Sequence, residues 1–257
     1  NKLNGSILAS LSKLSRLVSL LLYNNSLSGS IPLELGKLRN LVEVYLDSNC
    51  LTGPIPEEIR NLYSLIKLGL SQNQLNGSIP ASLGSLSNLE TLFLRDNQLS
   101  SSILNEIGNL MKLTMLELDH NNLKGNLPIC GPKTTVPISL KKGCYTLNLS
   151  HNNLSGEIPA SLEKLRGFHT VDIAYNELHG PVPNSPTFLN ASVQELRGNK
   201  GLCGNASGLP PCAPFSKKGH KNNKTLYVVI LPLLSSTGLL ISSIALLSAF
   251  KKRKKDA

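Results

Sequence analysis

The chain has 257 residues, with 26 Lys and Arg against 16 Asp and Glu, a formal net charge of +10. Aromatic residues make up 4% and Trp is absent, so any core must be aliphatic. The charge does not mark a nucleic-acid binder, because nine of the basic residues lie in two short flanks, Lys217–Lys224 and Lys251–Lys255, and the remainder is close to balanced.

From its first residues the chain repeats itself. Asparagines at Asn25, Asn49, Asn73, Asn97 and Asn121 stand 24 residues apart; the register then slips by seven and resumes at Asn152 and Asn176. Each closes a unit L-x-x-L-x-L-x-x-N, as in Leu89, Leu92, Leu94 and Asn97. Each also opens N-x-L-x-G-x-I-P, as in Asn73, Leu75, Gly77, Ile79 and Pro80. Asn1 already stands at this asparagine position, with no capping segment before it, which predicts that the natural protein extends upstream or that its gene model is truncated. A period of this length, in phase over seven units, predicts a solenoid. One unit cannot bury its apolar face alone; stacked units share a continuous core. L-x-x-L-x-L predicts a short strand with leucines inward and the intervening residues outward. The asparagine side chain then bonds backbone groups at the turn out of the strand, a structural and not a ligand-binding role. The glycine permits a positive φ, and the Ile-Pro pair keeps the return segment extended.

The stretch Pro128 to Cys144 breaks the pattern, and is read as a splice junction or annotation scar in preference to an island loop. Cys130 and Cys144 bracket it and could pair, while Cys50 has no obvious mate. After Pro183 the pattern decays into a half-unit through Val193, Leu196 and Asn199, followed by Cys203 and Cys212. A disulfide between these two would close a short loop over the last repeat, stabilising it by roughly 2–4 kcal/mol. No C-x-x-C or histidine pair suggests a metal, and no cofactor is expected.

Residues 216–225 read as a polar, basic linker. Leu226 to Phe250 are 25 residues without a charge, enough to cross a hydrocarbon core of roughly 30 Å. The basic cluster that follows reads as a cytoplasmic stop-transfer signal, placed where anionic membrane lipid would contact it. The domain plan is therefore repeats over 1–183, a cap over 184–215, a linker over 216–225, a transmembrane helix over 226–250 and a basic cytoplasmic tail over 251–257. With the repeats outside the cell, sequons at Asn4, Asn24, Asn76, Asn153, Asn190 and Asn205 are candidate glycosylation sites. Asn148 and Asn223 also carry the motif. The first is expected to be little used because it falls on the binding sheet, the second because it is close to the membrane.

The repeat consensus, typified by Leu149 to Pro159, resembles the plant-specific class of leucine-rich repeats. Gly198-Asn199-Lys200-Gly201-Leu202-Cys203-Gly204 with Cys212, followed by one apolar span, looks like the plant leucine-rich-repeat receptor-like kinases. The resemblance implies an α/β-type solenoid, a plant-class horseshoe with a parallel concave sheet, followed by a single transmembrane helix. It implies a plasma-membrane protein with extracellular repeats. Its partners would be an extracellular peptide or other ligand and a co-receptor kinase of the same repeat class. The family's cytoplasmic Ser/Thr kinase has no counterpart here, since no Gly-rich phosphate loop, H-R-D or D-F-G motif occurs.

Ligands meet solenoids on the concave sheet. Its outward lanes, by register, offer Tyr23, Tyr45 and Phe93 early, then Arg95, then the acidic Glu117, Asp119 and Asp172. These seven are the candidate ligand-binding residues. The carboxylates have no basic neighbour in their own lanes beyond Arg95 and should draw a basic or hydroxyl-rich ligand. Catalysis is not expected: His120 with Asp119, and His151 with Ser150, are chain neighbours that a regular strand would point to opposite faces. Three readings compete. They are a membrane-anchored recognition module with or without a kinase, a soluble inhibitor of a wall-degrading enzyme, and a fragment of a complete receptor kinase. The apolar span argues against the inhibitor.

Overall fold

A computed structural model describes residues 2–127, 146–164 and 169–213. Residues Asn1 to Cys212 form one compact unit. The apolar segment 226–250, the basic tail, Asn1, and the Cys130 and Cys144 pair lie outside the described residues. Among the described residues no helix is long and apolar enough to cross a membrane.

Each repeat contributes two strands. The L-x-L segments make a seven-stranded parallel sheet of three-residue strands, Ser19–Leu21, Glu43–Tyr45, Lys67–Gly69, Thr91–Phe93, Met115–Glu117, Thr146–Asn148 and Thr170–Asp172. They pair in order along the chain. The segments after each asparagine make a second, nine-stranded parallel sheet, running from Asn4–Ser6 to Gly201–Cys203. The sequence reading gave this segment only an extended path. It is a sheet because the same register repeats every 24 residues and neighbouring backbones exchange hydrogen bonds throughout.

The far side carries 3-10 turns such as Leu33–Lys37, Glu57–Asn61 and Ala81–Ser85, not α-helices. The α/β label is corrected to that extent. A repeat of this length leaves room for one five-residue turn. Two of these turns pack closely enough to need glycine: a Cβ on Gly36 or Gly84 would collide with the backbone carbonyl of Glu58 or Glu106. Among the described residues the only α-helices are Pro186–Leu189 and Val193–Leu196, in the cap.

The leucines and isoleucines fill one continuous core; Leu38, Leu41, Leu46, Leu62, Leu68 and Leu92 are fully enclosed. The expected glycine conformation is present, with φ near +80° at Gly5, Gly29, Gly53, Gly77, Gly125, Gly156 and Gly180. At the matching position after Asn97 stands Ser101, with φ +74°.

The asparagine ladder binds the repeats together. Asn97 Nδ2 donates to the carbonyls of Leu70, Leu94 and Arg95 at 3.0, 3.1 and 3.2 Å. Its Oδ1 accepts the Leu75 N–H at 3.0 Å. The pattern recurs at Asn49, Asn73, Asn121, Asn152 and Asn176. It reaches the half-unit, where Asn199 accepts the Leu178 N–H and donates to the Ile173 carbonyl. The register slip does not interrupt it: Asn152 donates to Leu118, and Glu117 pairs directly with Asn148. The two strands on either side of the slip therefore remain neighbours. The Cys203–Cys212 disulfide forms in the cap, and Cys50 is an exposed free thiol.

Candidate functional site

The seven-stranded sheet places its candidates by register. Glu117 pairs with Phe93 on one side and Asn148 on the other, and Asn148 pairs with Asp172. Tyr45 pairs with Gly69, and Gly69 with Phe93. One lane thus runs Tyr45, Gly69, Phe93, Glu117, Asn148, Asp172 across consecutive strands roughly 4.8 Å apart. Tyr23 lies beyond the first strand and is exposed. The lane has a dip at Gly69, where a Cβ would stand 2.6 Å from Tyr45 Cδ1 and would also collide with the Asp47 carboxylate. Tyr45 and Asp47 therefore lean over Gly69, a contact that sequence lanes do not reveal.

The next lane is recessed. Asp119 is 2% exposed, and Ser71 and Ser150 are also buried. Asp119 does not stand open beside Glu117, nor is it uncompensated. Its Oδ2 lies 3.8 Å from Arg95 Nε and 3.0 Å from His120 Nδ1, while its buried Oδ1 has no hydrogen-bond partner. Arg95 reaches across one strand and also bonds Asp96 at 3.1 Å.

The residue before each ladder asparagine behaves differently from the strand. Asn24, Ser48, Gln72, Asp96, His120, His151 and Tyr175 all have φ between +52° and +56°. This left-handed step ends the strand's alternation, and at Asp96, His120 and His151 the side chain meets its chain neighbour. For that reason His120 meets Asp119, and His151 Nδ1 comes 3.3 Å from Ser150 Oγ, against the expectation of opposite faces. Successive repeats then stack these side chains. Ser48 donates to Gln72 at 2.6 Å. His120 and His151 are stacked with centroids 4.1 Å apart, His151 and Tyr175 at 4.4 Å, and Arg197 lies 5.1 Å over the Tyr175 ring. The amino-acid sequence does not reveal these contacts, because nothing in one repeat signals the left-handed turn.

Electrostatics follow burial. Glu117 is raised above the usual carboxylate range by burial first, then by Asp119 and Asp47, with Arg95 opposing. Burial also raises Asp172, against the Ala174 N–H that its Oδ1 accepts at 3.0 Å. Asp47 is raised by burial as well, against the Ser71 N–H it accepts. His151 is pulled below the ordinary imidazole range by burial and then by His120. The face holds carboxylates that bear their charge reluctantly and gain from a cation placed on them. Among the described residues no group of three His, Cys, Asp or Glu is placed to hold a metal ion. The sequons at Asn4, Asn24, Asn76, Asn153, Asn190 and Asn205 are all exposed. Asn148 is half-buried, and its Oδ1 accepts from the Ser150 N–H and hydroxyl.

A model of the Leucine Rich Repeat family matches residues 16–38, 40–62, 64–86, 88–110 and 144–165. The chain carries leucine-rich repeats. It is homologous to the MDIS1-interacting receptor like kinase 2 of Arabidopsis thaliana, 34% identical over 77 residues, covering 28% of this chain and 7% of that protein. Its structure resembles the leucine-rich-repeat ectodomain of the plant receptor kinase GASSHO1/SCHENGEN3 from Arabidopsis thaliana, solved with CASPARIAN STRIP INTEGRITY FACTOR 2. That match has TM-score 0.75 and 37% identity over 83% of this chain and 24% of the other. It also resembles the Arabidopsis receptor kinase HAESA, solved with the peptide hormone IDA and the co-receptor SERK1. There the TM-score is 0.70 and identity 36%, over 81% of this chain and 34% of the other. The leucine-rich-repeat chain thus spans about a quarter to a third of these receptor structures.

Proposed function

We propose that this chain is the ligand-recognition part of a plant membrane receptor, a receptor-like kinase or a kinase-less receptor-like protein. Its repeats lie outside the cell, over the domain plan 1–183, 184–215, 216–225, 226–250 and 251–257. The ligand is a peptide with a basic or hydroxyl-rich segment, lying across the strands of the seven-stranded sheet. A co-receptor of the same repeat class completes the complex, and the basic tail faces membrane lipid. The observation that carries this reading is the single in-register lane of Tyr45, Phe93, Glu117 and Asp172. The rings offer apolar contact at one end and the carboxylates offer charge at the other. Tyr23 extends the ring end; Arg95 pairs with the enclosed Asp119 beside Glu117. Likeness to receptor ectodomains solved with peptides supports the ligand class.

Charge-assisted hydrogen bonds contribute roughly 1.5–3 kcal/mol each. Replacing Glu117 and Asp172 together by Ala should therefore weaken binding of a hexalysine peptide to the full chain about tenfold or more at neutral pH. Circular dichroism should show the variant still folded. Equal affinity in the double variant would sink the acidic-face reading.

A further inference from the structure

His120 and His151 sit at the same position of consecutive repeats, before the ladder asparagine. Both have left-handed backbones, which Asn or Gly would adopt at lower cost. Their rings are parallel within 10° and 4.1 Å apart. Each ring is tethered at Nδ1, His120 to the Asp119 carboxylate and His151 to the Ser150 hydroxyl. Several charged groups face the pair. The preceding repeat gives Asp96, whose Oδ1 lies 3.9 Å from His120 Nδ1, and Arg95 bonded to it. The same repeat gives Asp119, the following one Asp172 and Tyr175, and the cap gives Arg197.

We propose that the stacked His120–His151 pair is a proton-operated switch on the acidic binding face: neutral, it leaves the carboxylates to a basic ligand; protonated, it displaces that ligand. The inference rests on the concave lane being the ligand surface. A neutral His120 that donates its Nδ1–H to Asp119 leaves the charge of that carboxylate in place. A proton added at Nε2 turns the contact into an ion pair and cancels one charge of the patch. A second proton, on His151, would set two cations in face contact with Arg197 beyond Tyr175. The doubly charged pair cannot keep its stack, so the two protons bind in coupled steps. The field that draws a basic ligand weakens at the first step, and the edge of the site rearranges at the second.

The test uses the full chain, with His120→Gln and His151→Gln singly and together. Gln72 already occupies this position in an earlier repeat with φ +54°, so glutamine fits the backbone. Imidazole NMR titration should show two coupled steps in the wild type, and His120→Gln should move the titration of His151 upward. Fluorescence anisotropy with hexalysine should show affinity falling about tenfold between roughly pH 7.5 and 5.5, the range in which imidazoles change charge. The double glutamine variant should lose most of that dependence. A titration of His151 that ignores His120→Gln overturns the switch, and so does a double variant with the wild-type pH response. If hexalysine fails to bind at the higher pH while the imidazoles titrate as a coupled pair, the basic-ligand reading has failed and the proton coupling is supported.

Discussion

Asn97→Ala separates the ladder's contribution from that of the leucine core. Asn97 is 9% exposed and makes four hydrogen bonds to four backbone groups. The loss is unequal among them. The Leu70 carbonyl keeps the Asn73 amide, the Leu94 carbonyl keeps the Asn121 amide, and the Arg95 carbonyl keeps the Gln72 N–H. Only the buried Leu75 N–H loses its recorded partner. An orphaned buried donor costs roughly 1–3 kcal/mol, and each lost second bond adds about 0.5–1. With three such bonds the sum is about 2.5–6 kcal/mol. At the first repeat the same substitution is milder. Asn25 bonds Leu22, Tyr23 and Leu3, and Leu3 is 53% exposed, so water replaces what is lost. Asn25→Ala should therefore cost about 1 kcal/mol. Urea denaturation followed by circular dichroism gives the difference between the two. Amide hydrogen exchange at Leu75 localises it, since that N–H should lose protection in Asn97→Ala alone. Equal costs at Asn97 and Asn25, or an unaltered Leu75 exchange rate, would mean that the ladder follows the packing and does not hold it.

Ser101 adopts φ +74° where seven other repeats have glycine. A left-handed L-residue costs roughly 1–2 kcal/mol, partly offset by the extra chain entropy of glycine. Ser101→Gly should raise stability by about 0.5–1 kcal/mol, and a lower denaturation midpoint would contradict the strain. Stability should also depend on pH through His151, which burial and His120 hold below its ordinary value. Below about pH 6.5 the unfolded chain takes up a proton that the folded chain resists, so this group weakens the fold as pH falls. Glu117 and Asp172, raised by burial, act in the opposite sense: what they contribute is full at low pH and is lost as pH rises through the carboxylate range. His151→Gln should flatten the melting temperature between roughly pH 7 and 6, and an unchanged slope there would exclude the assignment.

Most of the fold is written in the period. Leu92 and Leu94 point inward because a strand alternates, Asn97 turns the chain, and Gly77 or Gly125 takes the positive φ the return path needs. The sequence reading found all of these and the Cys203–Cys212 bridge. It did not find the nine-stranded second sheet. Ser26, Gln74 and Asn122 are polar and exposed, with no hydrophobic alternation to announce a strand. That sheet forms because neighbours at a fixed register exchange backbone hydrogen bonds, a property of the stack and not of any one unit. The far-side turns were equally hidden, since Leu83 and Leu86 suit a 3-10 turn as well as a helix.

The outward face of the seven-stranded sheet was legible only where the backbone stayed regular. Tyr45, Phe93, Glu117 and Asp172 lie within three-residue strands, and the alternation rule placed them correctly on one lane. One residue beyond the strand, the rule fails. Asp119 should have stood beside Glu117 in the open; it is enclosed, because the left-handed turn at His120 folds the imidazole back over it while Arg95 reaches in from the previous repeat. The same turn, repeated at His151 and Tyr175, converts chain neighbours that should diverge into a tethered stack along the edge of the sheet. A single positive φ per repeat therefore moves the chemistry of this face. It removes one carboxylate from the surface and puts two imidazoles beside it. The charge these groups carry together, and not that of any one of them, sets what this face can attract.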